Sequence, residues 1–176
     1  MRAVVMASLL ASGCSAPAAP SEAAPKPAPA AALVTGTPGV DAPQRGLEVV
    51  PLQVDSRGRV HRFRVEVART AEQQRIGMMF RTGVDPDRGM VFPYARPAML
   101  GYWMRNVPIP LDIIYVRADG TIESVHTARP FDETSVRSGE PVSLVLEIAG
   151  GRAAALGIRP GDRVSTPVLP APAPRG

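Results

Sequence analysis

The chain has one cysteine, Cys14, and this scarcity excludes an intrachain disulfide. It also has only two histidines, and its acidic residues do not cluster with them in a metal-binding motif. No glycine-rich phosphate loop and no serine in a nucleophile elbow appears in the sequence. We therefore expect no cofactor, and the motifs assign no reaction to this protein.

Lysine is nearly absent, because 19 of the 20 basic residues are arginines, and the formal net charge is +4. Within residues 47–164, the 16 arginines are offset by 14 acidic residues, so the basic charge is not concentrated. Aromatic residues make up 5% of the chain and are not interleaved with the arginines. This composition argues against nucleic acid as a partner.

Residues 1–13 have the features of an export signal: a basic residue at position 2 and a short apolar run. The run is too short to span a bilayer. Small residues precede Cys14 directly, an arrangement that resembles the lipobox of bacterial lipoproteins, whose cysteine is acylated. We predict an exported lipoprotein that is anchored in the membrane through Cys14 and faces the periplasm. An ordinary secretory signal cleaved after Cys14 is the alternative.

Composition divides the rest of the chain into three parts. Residues 14–46 are rich in alanine and proline and are predicted to form the lipid anchor and a disordered tether. Residues 47–164 carry the alternating apolar patterns of a folded domain. Residues 165–176 contain four prolines and are predicted to form a disordered tail.

The domain is predicted to be mainly β (α+β). Strands are expected at residues 47–54 and 60–68, joined by a turn, and then at 89–93, 100–104, 111–117, 121–126 and 142–148, with a last strand ending at 164. Thr70 and Gln73 fit a capping box that begins a short helix ending near Met79. A second short helix is expected at 151–156. Many short strands with two short helices indicate a small closed or half-closed β-barrel.

The candidate ligand or partner site centres on Asp112, a carboxylate within an apolar strand. Arg105 and Asn106 precede it across two prolines and are predicted to hold it, either as a structural clamp or as a ligand-orienting cluster; the clamp is the favoured interpretation. Trp103, with Tyr102, Arg105 and Asn106, is expected at an exposed surface that contacts a ligand or partner. Packing of Trp103 in the core is the alternative.

Two other functions stay open at this stage. Glu147 and Asp112 would serve as the two carboxylates of a hydrolase if the fold brings them together. An oxidising compartment would also suit Cu(I), bound by thioethers and an imidazole. The candidate copper ligands are Met78, Met79, Met90, Met104 and His126. Methionine as a filler of core gaps is the simpler explanation for this set.

Six motifs occur in a fixed order: GMMFR at 77–81, GMVF at 89–92, YWMRN at 102–106, IPLDIIY at 109–115, DG at 119–120 and VLEIAG at 145–150. Together they resemble the domain-of-unknown-function 192 family over residues 60–164. The resemblance implies a small, mainly β, often exported domain with no established activity or cofactor. Val107 replaces the threonine that the family usually has there, and Met78 replaces its leucine.

The combined expectation is a small envelope-anchored binding or accessory module, rather than an enzyme, whose partner is an envelope protein or a small molecule.

Overall fold

A computed structural model describes residues 43–169, which form nine strands and two short helices. The strands are β1 Val49–Ser56, β2 Arg59–Val67, β3 Arg88–Ala98, β4 Gly101–Tyr102, β5 Leu111–Val116, β6 Ile122–Ala128, β7 Val136–Arg137, β8 Val142–Ala149 and β9 Arg163–Ser165. The helices are α1 Ala71–Ile76 and α2 Arg152–Leu156. The predicted signal and Cys14 lie outside the described residues.

Seven strands form one sheet in the order β6-β5-β8-β3-β2-β1-β9, and β4 pairs with β7 in a separate ribbon. The ladders are antiparallel, except that β2 and β3 run parallel, joined by a connection that contains α1. The β1–β2 hairpin confirms the first two predicted strands and the turn between them.

The mainly β prediction with two short helices is confirmed, whereas the barrel is not. The sheet retains two edge strands, β6 and β9, which form no ladder with each other; Thr121, just before β6, makes an isolated bridge to Arg163 of β9. Beside this bridge, the N–H of Ile122 donates to the carbonyl oxygen of Asp162 at 2.8 Å. The sheet therefore curves until its edges touch, but no continuous ladder closes it.

Apolar side chains cover both faces of the sheet. One face carries an aliphatic cluster that includes Leu52, Val65, Ile114, Leu146 and Val164. The other carries a methionine–tyrosine cluster that includes Met90, Phe92, Tyr102, Tyr115 and Val145. Strand β5 contributes alternate residues to the two clusters, and all six of its residues are buried.

Helix α1 has the predicted capping box but is shorter than expected. The hydroxyl of Thr70 accepts from the N–H of Gln73 at 3.1 Å, and the Gln73 side chain accepts from the N–H of Thr70 at 3.0 Å. The helix ends at Ile76 because Gly77 adopts φ +50°, outside the helical range. Met79 therefore packs from the following turn and not from the helix.

The strand boundaries also differ from the prediction. β3 continues to Ala98, whereas only two residues of the predicted strand 100–104 form a strand, and they pair with the unpredicted β7. The folded region extends beyond residue 164. Ser165 belongs to β9, the hydroxyl of Thr166 donates to the carbonyl of Pro51 at 3.0 Å, and Leu169 is buried in the aliphatic cluster.

Candidate functional site

Asp112 is fully buried and accepts three hydrogen bonds from elements that are distant in sequence. Its Oδ1 accepts from the hydroxyl of Thr127 on β6 at 2.6 Å and from the N–H of Gly151 at 2.9 Å. Its Oδ2 accepts from the N–H of Ala153 at 2.7 Å. The carboxylate therefore joins β5 to β6 and to the first turn of α2.

The backbone at the start of α2 explains why this helix needs the Asp112 carboxylate. Gly151 precedes the helix with φ +80° and has no side chain to cap the free N–H groups. Gly150 is required just before it, because a Cβ there would lie 2.6 Å from the Cβ of Pro110. Asp112 supplies the cap from a neighbouring strand, where its negative charge also suits the helix N-terminus. These contacts are those of a structural clamp.

Arg105 and Asn106 are not the partners that the structure gives to Asp112. They lie on an exposed loop with Trp103, which is half-buried. The guanidinium of Arg105 lies 5.6 Å from the centre of the Trp103 ring, and its Nε lies 3.6 Å from a carboxylate oxygen of Glu133. The surface expected around Trp103 thus includes Arg105 and Asn106 but not Asp112.

A second loop lies against this one and presents Phe131. The N–H of Met104 donates to the carbonyl of Asp132 at 2.8 Å, and the N–H of Phe131 donates to that of Val107 at 3.1 Å. Phe131 is 64% exposed and has φ +59°. We call residues 103–107 and 129–133 the contact loops. Sequence reasoning missed Phe131, whose only signal is an isolated aromatic residue in a polar loop.

Glu147 is buried on the methionine–tyrosine face, where its Cα partners are Met90 of β3 and Ile113 of β5. Asp112 is next to Ile113 in the same strand, so the Asp112 side chain projects from the face opposite to that of Ile113 and Glu147. The structure therefore does not bring Asp112 and Glu147 to one cleft.

Three tyrosines surround the region of Glu147. The hydroxyl oxygens of Tyr94 and Tyr102 are 2.8 Å apart, and the Tyr115 hydroxyl donates to the carbonyl of Val136 at 2.6 Å. Burial raises the pKa of all three phenols, and the negative charge of Glu147 adds to the effect. Tyr102 is buried, so the prediction that it contributes to an exposed surface is wrong.

The methionines do not converge on His126. Met90 Sδ accepts from the Gln44 side-chain amide at 3.8 Å, and Met79 Sδ accepts from that of Asn106 at 4.0 Å. Strands β8 and β5 separate β3 from β6, so His126 and Met90 are three strand spacings apart, about 14 Å measured along the sheet. Met78 and Met104 are buried in the same apolar cluster. Residues 43–169 contain no group of three or more His, Cys, Asp or Glu side chains able to hold a metal ion.

A family model designated DUF192, with the description "Uncharacterized ACR", matches residues 52–166. The chain belongs to the DUF192 family. Two of its motifs meet in the structure: the N–H of Phe80, at φ +62°, donates to the carbonyl of Asn106, at φ +56°, over 2.7 Å. The turn after α1 is thereby fastened to the first contact loop.

Two solved structures share this fold. A protein from Sinorhizobium meliloti 1021, described provisionally as a transcription regulator, is 34% identical with a TM-score of 0.69; the match covers 72% of this chain and 99% of that one. A protein of unknown function from Novosphingobium aromaticivorans DSM 12444 is 46% identical with a TM-score of 0.68, covering 70% and 89%. The search of curated proteins finds no match.

Among the helices of residues 43–169, neither has the length and apolar character needed to cross a membrane.

Replacing Asp112 with Asn tests the structural clamp. The amide nitrogen cannot accept a hydrogen bond, so at least one buried donor loses its partner, and the helix cap loses its charge. We expect Asp112→Asn to lower the free energy of unfolding by about 2 kcal/mol. Asp55→Asn is the matched control: Asp55 is exposed and accepts a single bond from the N–H of Gly58. Its effect should stay within about 0.5 kcal/mol in urea titrations. Equal losses in the two variants would contradict the clamp.

The tyrosine cluster predicts a loss of stability at alkaline pH. The chain contains three tyrosines and one lysine, so these phenols dominate its titration above neutrality. Their pKa values are higher in the folded chain than the ordinary value of 10.0. The contribution to stability is therefore complete below pH 10 and declines as the pH rises further. Absorbance at 295 nm should stay flat through pH 10 and rise only with loss of the circular dichroism signal. Tyrosinate appearing near pH 10 in a folded chain would contradict the prediction that the three phenols ionise only on unfolding.

Proposed function

We propose that the protein is a binding module of the cell envelope, anchored through Cys14 and tethered by residues 14–46. Its partner is another envelope protein, which it engages through the contact loops. The exposed Phe131 is the observation that carries this proposal, and the pair Trp103 and Arg105 supports it.

Phe131 imposes two costs on the isolated domain. A left-handed backbone is unfavourable for a residue with a bulky side chain, by about 1 kcal/mol or more. Its ring is also left largely in water. Asparagine or glycine would adopt the same backbone at lower cost. A partner that buries the ring would recover the apolar contribution, which accounts for phenylalanine at this position.

Trp103 and Arg105 supply the rest of the surface. Stacking over the indole restricts the guanidinium, so less conformational entropy is lost on binding. The contact with Glu133 is long, at 3.6 Å, and half-exposed, so Arg105 can donate to a further acceptor. The surface therefore fits a partner with an apolar pocket for Phe131 and a carboxylate for Arg105.

The alternatives drawn from the sequence have less support. A two-carboxylate hydrolase needs both acids beside one substrate, whereas Asp112 and Glu147 lie on opposite sheet faces. A Cu(I) site at the methionines would need His126 near Met90, but two strands intervene. The provisional description of the Sinorhizobium protein applies to that protein alone.

Substitution of Phe131 separates binding from stability. Phe131→Asn should relieve the backbone strain and leave the free energy of unfolding unchanged or raised by about 0.5 to 1 kcal/mol. Recovery of a crosslinked envelope complex with the full chain should fall at least tenfold, as it should for Trp103→Ala. Val60→Asn is the control, since Val60 is an exposed apolar residue on β2. Recovery that is equal for Phe131→Asn and Val60→Asn would contradict the proposed surface.

Substitution of Cys14 tests the anchor. Cys14→Ser removes the acceptor thiol, so the chain should move from the membrane fraction to the soluble fraction. Mass spectrometry of the N-terminal peptide should find acyl mass on Cys14 in the unaltered chain only. An unmodified N-terminus downstream of Cys14 would exclude the lipid anchor while leaving the contact surface to be judged by Phe131→Asn.

A further inference from the structure

A polar cleft of about 370 Å³ lies beside the parallel pair β2–β3, and no residue of the contact loops lines it. Four residues of the segment between α1 and β3 also line it: Arg81, Gly83, Val84 and Asp85. Its charged and apolar lining includes Arg64, Glu66, Arg81, Val84, Asp85 and Arg88. Its volume falls in the range of sites that take small molecules.

Two arginines, Arg64 and Arg88, line this cleft from adjacent strands. Arg64 and Arg88 are Cα partners in the β2–β3 ladder, so their side chains leave the same face on adjacent strands. The strands are about 4.8 Å apart, and like charges directly opposite each other destabilise a sheet. Within residues 43–169, neither arginine has an ion-pair partner. The two positive charges therefore repel each other, and an anion between the guanidinium groups would remove this repulsion.

The third arginine of the lining, Arg81, is already paired with the carboxylate of Glu66. Both terminal nitrogens of Arg81 donate to the carboxylate of Glu66, and Nη2 also donates to the carbonyl of Gln44 at 3.1 Å. Both terminal nitrogens of Arg81 thus donate to internal acceptors, whereas its buried Nε has no hydrogen-bond partner within residues 43–169. Asp85 is the remaining carboxylate in the lining, so Arg64 and Arg88 together leave an excess positive charge.

We propose that this cleft binds a small molecule through a phosphate or carboxylate group held between Arg64 and Arg88. Guanidinium forks donate pairs of parallel hydrogen bonds to such oxyanions, which suits two arginines on neighbouring strands. The Arg81–Glu66 pair and Asp85 also line the cleft. The carbonyl of Asp85 accepts from the N–H of Arg88 at 3.0 Å, and the negative charge of Asp85 opposes binding of the anion. Binding of one oxyanion removes the repulsion between the two guanidinium groups.

Calorimetric titration of the full chain with inorganic phosphate, and separately with citrate, tests this proposal at low ionic strength. Arg64→Gln and Arg88→Gln should each weaken binding of the preferred anion at least tenfold, whereas Asp85→Asn should tighten it. Arg62→Gln is the matched control: Arg62 has the same charge and lies two residues before Arg64 on the same face of β2, outside the cleft lining. It should change the affinity less than twofold. The anion that binds more tightly shows whether the ligand of this cleft carries a phosphate or a carboxylate group.

Thermal unfolding is a second test, and its first part needs no ligand. In a buffer without oxyanions, Arg88→Gln should raise the thermal midpoint of unfolding, because it removes the repulsion with Arg64. Added phosphate or citrate should raise the midpoint of the unaltered chain more than that of Arg88→Gln. A lowered midpoint for Arg88→Gln without ligand would show that Arg88 is structural and overturn the proposal. It would equally be overturned if neither anion binds at millimolar concentration, or if Arg62→Gln weakens binding as much as Arg64→Gln.

Discussion

The hydrogen bonds of Asp112 are the constraint on which the second half of the domain depends. A carboxylate buried on β5 is tolerable only because a hydroxyl from β6 and two N–H groups from the start of α2 surround it. The same bonds supply the cap that Gly151 lacks. One side chain thus connects strand, neighbouring strand and helix, and its position in the IPLDIIY motif follows from this packing.

Because the buried Asp112 is used structurally, the functional site has to be looked for elsewhere in the domain. A carboxylate saturated by internal donors has little capacity left for a substrate, and the tyrosine hydroxyls are likewise engaged with one another or with backbone. Two energetically unfavourable features that no internal contact offsets lie on the surface. They are a left-handed, exposed phenylalanine on the contact loops and two opposed arginines at the β2–β3 cleft.

The sequence predicted the elements whose signals are local. The capping box of α1, the first hairpin and the doubly buried β5 depend on neighbouring residues, and all three are confirmed. Contacts between distant residues could not be read in this way. Nothing near Asp112 in sequence indicates Thr127 or Gly151 as its partners, and alternation within single strands does not reveal that Glu147 lies on the other face. The sheet edges also stay open, since local patterns do not fix how far a sheet curves.

The central claim is that the contact loops, and not the buried acids, meet the partner. A photoreactive phenylalanine analogue at position 131 tests it most directly, because the substitution keeps an aromatic ring at the proposed surface. We predict one crosslinked product of defined mass in intact cells, lost when Trp103→Ala is added, and none from the same analogue at the exposed Val60 on β2. The same products from both positions, or none from position 131, would contradict the account.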